Sequence, residues 1–190
     1  LDSREAVLAG RGSYARQCAL DGRIRLEMDT ISGRVRKQEI LPADAPLPPS
    51  GDVIVGLARW NELQETPPAR QGKLGVLLAS DELPDQIRGL ESALLVAIEF
   101  PKFVDGRGYT SARLLRERFG YKGEVRAVGD VLRDQLFYMH RVGIDSFALK
   151  AGKDIEGALA ALDDFTVAYQ AAADDPRPLF RRIQRGNTPR

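Results

Sequence analysis

LLVAIEFPKFVDGRGYTSARLLRERFG, residues 94–120, moves from one kind of structure to another within a single stretch. LLVAIEF is almost uninterrupted apolar sequence, which a strand buried on both faces of a sheet requires. PKFVDGRG carries two glycines and the turn former Asp105, and reads as a loop. Beyond it Ala112, Leu115 and Phe119 recur at helical spacing as a buried stripe, with Gly120 as the stop. The same alternation repeats along the chain. Short apolar runs stand at VIVGL (53–57), LGVLLAS (74–80), VRAVG (125–129) and SFAL (146–149), separated by segments long enough for crossover helices. The expected fold is α/β: an open, mostly parallel sheet of about five strands with flanking helices. Doubly wound folds are the nearest analogy. Consecutive units also permit a partial barrel.

The intervening segments differ in strength. From Asp154 in the N-cap place, Ile155, Leu159, Leu162, Phe165 and Tyr169 recur at helical spacing and predict one strong amphipathic helix. From Asp130, Leu132, Leu136 and Met139 predict another, stopped by Gly143. ARWNELQ and LPDQIRGL are shorter helical patterns. Near the start, Ile24, Leu26 and Met28 alternate with charged residues in RIRLEMD, the period of a half-exposed strand. Thr30–Gly33 reads as a turn and RVRKQEIL as a returning strand, so a small N-terminal β hairpin or edge is expected. PADAPLPPSGD, residues 42–52, holds four prolines and reads as an extended connector. The chain therefore divides into a β-rich N-terminal extension (1–41), the proline-rich connector (42–52), the α/β domain (53–173) and a basic C-terminal tail (174–190).

Composition excludes several classes. Acidic and basic residues number 27 and 28 and nearly cancel, so the surface as a whole is not tuned to nucleic acid or anionic lipid. One cysteine, Cys18, forms no internal disulfide and supplies neither an iron–sulfur cluster nor a structural zinc site by itself. No apolar run approaches the roughly 20 residues of a membrane span. A soluble, cytoplasmic protein is the expectation.

In open parallel sheets ligands collect outside the carboxyl ends of the strands, where loops lead into helix N-termini. Residues 101–111 belong there. Gly106 and Gly108 let backbone approach a ligand, Arg107 offers a planar fork of donors, and Thr110 or Ser111 caps the helix or donates to an oxyanion. The candidate ligand-binding set is Asp105, Arg107, Gly108, Tyr109, Thr110 and Ser111, with Asp130 and Arg133 on the same edge. A structural reading competes with it: Asp105 makes an Asx turn, the two glycines supply positive φ, and Thr110 caps the helix. Gly106, Gly108 and Ser111 also approximate a dinucleotide fingerprint, with Asp130 in the ribose-acid place. PKFVD separates the strand from the first glycine and the third glycine is missing, which count against NAD(P) or flavin, so no cofactor is predicted.

The remaining singletons point elsewhere. His140 sits in the last turn of its helix, where it complements the carbonyl end. Glu99 is a carboxylate near the end of an apolar strand. One histidine and one cysteine assemble no nucleophilic triad. In the tail, Phe180 and Ile183 lie among Arg177, Arg181, Arg182 and Arg185, an apolar pair framed by positive charge.

FPKFVDGRGYTSARLLRERFGYKGEVRAVGDVLRDQLFYMHRVGIDSFAL, residues 100–149, and more loosely GDVIVGLARW and FTVAYQ, resemble a bacterial family labelled as an oxidoreductase of sulfite reduction. Its members tend to be encoded beside assimilatory sulfite reductase and the reductase of activated sulfate. The resemblance covers about residues 51–170 and implies a pathway rather than a reaction, with no catalytic residue to carry over. Sulfite reduction needs six electrons passed through a metal centre, and one thiol cannot hold the cluster that serves it. The expectation is an accessory or binding protein of sulfite reduction, holding a sulfur oxyanion or phosphate-bearing ligand at the carboxyl edge. A nucleotide-cofactor-dependent oxidoreductase and a structural interaction module are the alternatives. The expected partner is the sulfite reductase haemoprotein, with the tail's arginines steering the encounter.

Overall fold

An antiparallel meander begins the chain: β1 (Ala6–Val7), β2 (Tyr14–Leu20) and β3 (Arg23–Asp29) pair in that order. Six further strands follow and, from β5 on, each is parallel to the one before it: β4 (Glu39–Ile40), β5 (Val53–Gly56), β6 (Leu74–Leu78), β7 (Leu95–Phe100), β8 (Glu124–Gly129) and β9 (Ser146–Leu149). β3 joins β9 antiparallel, Leu26 opposite Leu149, so a single sheet runs β1-β2-β3-β9-β8-β7-β6-β5-β4. This computed structural model describes residues 39–149 and 154–182, and the three meander strands in their backbone pairing.

Helices α1 (Leu57–Glu65), α2 (Arg107–Glu117), α3 (Leu136–Arg141) and α4 (Ile155–Ala160) lie between or after the parallel strands. Alternation within each strand sorts its side chains between two faces. Val55, Val76, Ile98, Val125 and Phe147 gather with Trp60, Leu115 and Met139 of the helices. Ile54, Leu95, Ala97 and Val128 form a second cluster on the other face. Both faces being apolar explains why the strands read as continuous runs.

The open, mostly parallel sheet with flanking helices and an N-terminal strand pair is present, with six parallel strands. Their order is consecutive, without the reversal of a doubly wound fold, and side chains of α1 to α4 meet one face. That is the arrangement of the partial-barrel alternative, left open.

Several local expectations change. The hairpin partner of β3 is Tyr14–Leu20, not RVRKQEIL. Asp21-Gly22 stands between strands in which Leu20 faces Arg23, and this two-residue sequence is itself a hairpin signal. Within the described part of RVRKQEIL, Glu39–Ile40 pairs instead with β5 at the opposite edge. The turn expected at Thr30–Gly33 and residues 34–38 lie outside the described residues. The helix predicted from Asp154 to Tyr169 ends at Ala160 and tightens into a 3-10 turn, Ala161–Asp163. Phe165 and Tyr169 are 64% and 69% exposed, so their helical spacing marks no buried stripe. Asp130 caps no helix, because a 3-10 turn at Arg133–Gln135 leads into α3. LPDQIRGL yields 3-10 turns at Pro84–Gln86 and Leu90–Ser92, and Phe119 is exposed beyond the end of α2.

The amino end of the strands is fastened by a half-buried ion pair. Arg116 of α2 donates through Nη2 to Asp145 Oδ2 (2.7 Å), through Nε to the Gly143 carbonyl (2.8 Å), and through Nη1 to those of Tyr121 (2.8 Å) and Gly123 (2.7 Å). Asp145 Oδ1 accepts the Val125 N–H at 2.8 Å, so one guanidinium ties a helix end to the starts of β8 and β9. Burial pushes the Asp145 carboxyl up to about 6, against the pull of Arg116 and of the Val125 N–H.

Candidate functional site

The carboxyl edge is formed by the segments that leave β6, β7 and β8. After β7 the chain turns at Lys102–Asp105, where the Asp105 N–H donates to the Lys102 carbonyl at 3.0 Å, and enters α2 at once. α2 therefore starts at Arg107, earlier than the sequence suggests, with Gly106 as N-cap. Thr110 is consequently an exposed position within the helix and Ser111 a buried one, and neither caps it. Gly106 has φ −88°, and Gly108 lies in the helix, so positive φ is not their purpose.

Arg107 forms a clasp. Its Nε donates to Asp105 Oδ1 at 3.0 Å and its Nη2 to Asp105 Oδ2 at 2.8 Å, the bidentate arrangement of arginine with carboxylate. The same Nη2 reaches Ser80 Oγ at 2.9 Å, linking the loops after β6 and β7. The Arg107 N–H also donates to Asp105 Oδ1 at 3.2 Å, the Asx-turn contact of the structural reading. Hydrogen bonds from the Arg107 side chain and then its backbone hold the Asp105 carboxyl well below the usual carboxylate range. Ser80 was not among the sequence candidates. Its signal was faint: a hydroxyl at the end of an apolar run, level with the neighbouring loop.

Gly108 serves close packing. A Cβ there would stand 2.7 Å from Phe100 Cζ and 3.0 Å from Ile98 Cγ2, so its absence lets the first turn of α2 lie against β7. Gly108→Ala is expected to lose about 1–3 kcal/mol through overpacking, more than the roughly 1 kcal/mol that alanine gains in a helix. A denaturant midpoint equal to or above that of the parent would refute this role.

Tyr109 packs edge-on to Phe100 and tilted against Tyr138, each at 5.2 Å between centroids. Burial raises its phenol pKa, with smaller contributions from Asp134 and Tyr138. Asp130 follows Gly129, whose φ of 97° suits glycine, and donates its N–H to the Phe100 carbonyl at 2.6 Å. The edge thus brings Asp105, Arg107 and Ser80 together, with Tyr109 and Asp130 next to Phe100. Arg133 turns away. It grips Asp164 with both Nη atoms at 3.0 and 3.1 Å and the Gly157 carbonyl with Nε at 2.9 Å, fastening the segment after β9.

A sequence profile matches residues 75–180, more than half of the 190 residues. The chain belongs to the bacterial proteins of unknown function designated DUF934. No curated protein and no solved structure matches it. The DUF934 region runs from within β6 to Phe180 and includes the whole clasp.

In this DUF934 chain the segment after Asp164 folds back on the domain up to the short helix α5 (Leu179–Arg182). Arg177 and Arg182 both pair with Asp175, at 3.4 and 3.2 Å, and Arg181 lies over the Phe180 ring at 5.9 Å. Phe180 is exposed. Ile183 and Arg185, the rest of the expected docking pair and its frame, lie outside the described residues. His140 stands in the last turn of α3, and Glu99 is half-buried near the carboxyl end of β7. No group of three or more His, Cys, Asp or Glu among the described residues is placed to hold a metal ion. No helix among them is long and apolar enough to cross a membrane.

Proposed function

We propose that this DUF934 protein is an accessory protein of assimilatory sulfite reduction that docks a partner, the sulfite reductase haemoprotein, on the carboxyl edge of its sheet. The pathway is supported by the resemblance of residues 100–149. The mode of action is supported by one observation: Phe103 and Val104, 52% and 84% exposed, project from the loop that the clasp holds. Exposed aromatic side chains on a fixed loop make good anchors, because little ordering is left to be done on binding. Lys102 precedes them, is exposed and has no ionic partner among the described residues, which favours an acidic rim on the partner.

The decisive variant is Phe103→Asp. It is expected to lower affinity for the haemoprotein by about 2 kcal/mol or more, roughly thirtyfold, with an unchanged melting temperature, measured by co-elution and titration at low salt. Undiminished binding by a folded Phe103→Asp protein would overturn the proposal.

One observation favours an oxyanion at the same edge. The Asp105 carboxylate occupies the fork of Arg107 beside a hydroxyl, as a bound oxyanion would, and the arginine is 61% exposed. On this reading Asp105→Asn frees the fork and raises the affinity for sulfite and sulfate. An affinity that stays flat removes it.

A further inference from the structure

A cleft of about 710 Å³ opens at the other end of the molecule, where the strands begin. One wall is the carboxyl half of α2 and the turn after it. The other is the returning segment Ala171–Asp174, held on the domain by the Ala173 N–H, which donates to the Arg141 carbonyl at 3.0 Å, and by the ion pair of Asp174 with Arg141 at 3.4 Å.

Three acids line this cleft, and each already has an arginine. Glu117 pairs with Arg113 at 2.9 Å, Asp145 with Arg116 at 2.7 Å, and Asp174 with Arg141. Lys122 also lines the cleft, is exposed, and has no ionic partner among the described residues. It is the charge left over once the pairs are formed. His140 lies on the same cleft, with Nδ1 shielded from solvent and without a hydrogen-bond partner. Ile144 and the methyl groups of Ala171, Ala172 and Ala173 supply an apolar wall.

We propose that this cleft binds an organic phosphate or carboxylate with an apolar body, its anionic group on Lys122 beside His140 and its body against Ala171–Ala173. The volume falls within the range of about 300–1,000 Å³ typical of small-molecule sites and far exceeds what a lone tetrahedral oxyanion fills. The site is independent of the carboxyl edge and of the partner proposed there.

The test is a titration of the full-length, isotope-labelled protein with 1-naphthyl phosphate, followed by amide chemical shifts, with inorganic phosphate in a parallel arm. Expected are saturable shifts at residue 122 and residues 171–173, and binding of inorganic phosphate roughly tenfold weaker or more. Lys122→Glu, on the surface, is expected to weaken naphthyl phosphate at least about tenfold, and Lys122→Arg to preserve it. Ala172→Trp fills the cleft and is expected to abolish binding while leaving the strand amides unmoved. Failure to saturate, shifts centred on residues 102–107, or undiminished binding by Lys122→Glu would each overturn the assignment.

Discussion

Arg116→Met is expected to destabilise the protein by about 3–5 kcal/mol at pH 8, and by distinctly less at pH 5. The substitution keeps the apolar stem but strips three carbonyl groups of their donor and takes the Arg116 cation away from the largely buried Asp145. Domain stabilities run at roughly 5–15 kcal/mol, so the loss is a large share of the total. Its pH dependence follows from Asp145. The folded-state pKa of about 6 lies above the ordinary carboxylate value, so Asp145 contributes stability that is fully present below the unfolded pKa and lost as pH rises through about 6. Without Arg116 its share of the opposing pull disappears, the Val125 N–H alone being left of the two, and the pKa rises further. At pH 8 the variant must then hold a carboxylate that has lost the Arg116 cation, whereas at pH 5 it holds a neutral acid. Denaturant midpoints at the two pH values check this, and a loss as large at pH 5 as at pH 8 would show that the pair is not charged in the folded protein.

Trp60→Ala is expected to cost a similarly large amount, about 3–5 kcal/mol, on the same face of the sheet but over β5 and β6. Trp60 is 1% exposed, and its indole N–H donates to the Arg88 carbonyl at 2.7 Å. Asn61 beside it exchanges hydrogen bonds with Arg88 N–H and the Gln86 carbonyl. α1 thereby organises the two 3-10 turns between β6 and β7, a segment with little regular structure of its own. Trp60→Ala opens a cavity and leaves the Arg88 carbonyl without its donor, and Trp60→Phe restores most of the volume but not the hydrogen bond. Equal losses for the two variants would assign the whole effect to the hydrogen bond and contradict the cavity argument.

The five long parallel strands were legible because burial on both faces makes a strand apolar at every position, and few other structures demand that over four to seven residues. The identity of each strand's neighbours was not. A βαβ pattern reads alike in a reversing sheet and in a consecutive one, and only the sorting of helix side chains to a single face separates them. Periodicity misled at Phe165 and Tyr169, whose helical spacing coincides with exposure, while Gly157 lends its carbonyl to Arg133 and the chain tightens at Ala161. At the carboxyl edge the residue types were apparent but their pairing was not. Asp105 and Arg107 were read as two features facing a ligand, whereas at a spacing of two residues in a tight turn they face each other. Ser80 lies 27 positions from Arg107, and no local pattern announces such a contact. The amino-end cleft was beyond reach for the same reason, since its walls come from three separate parts of the chain.

The consecutive strand order bears on when each part of the molecule can form. As the chain emerges from the ribosome, β5, β6, β7 and β8 each find the preceding strand already in place, so the body can grow by addition at one edge. The meander is the exception. β3 is made early, yet its partner β9 is the last strand among the described residues. Until then the meander waits as a ribbon with an unfilled edge, and β9 is the piece that locks the beginning of the chain to its end.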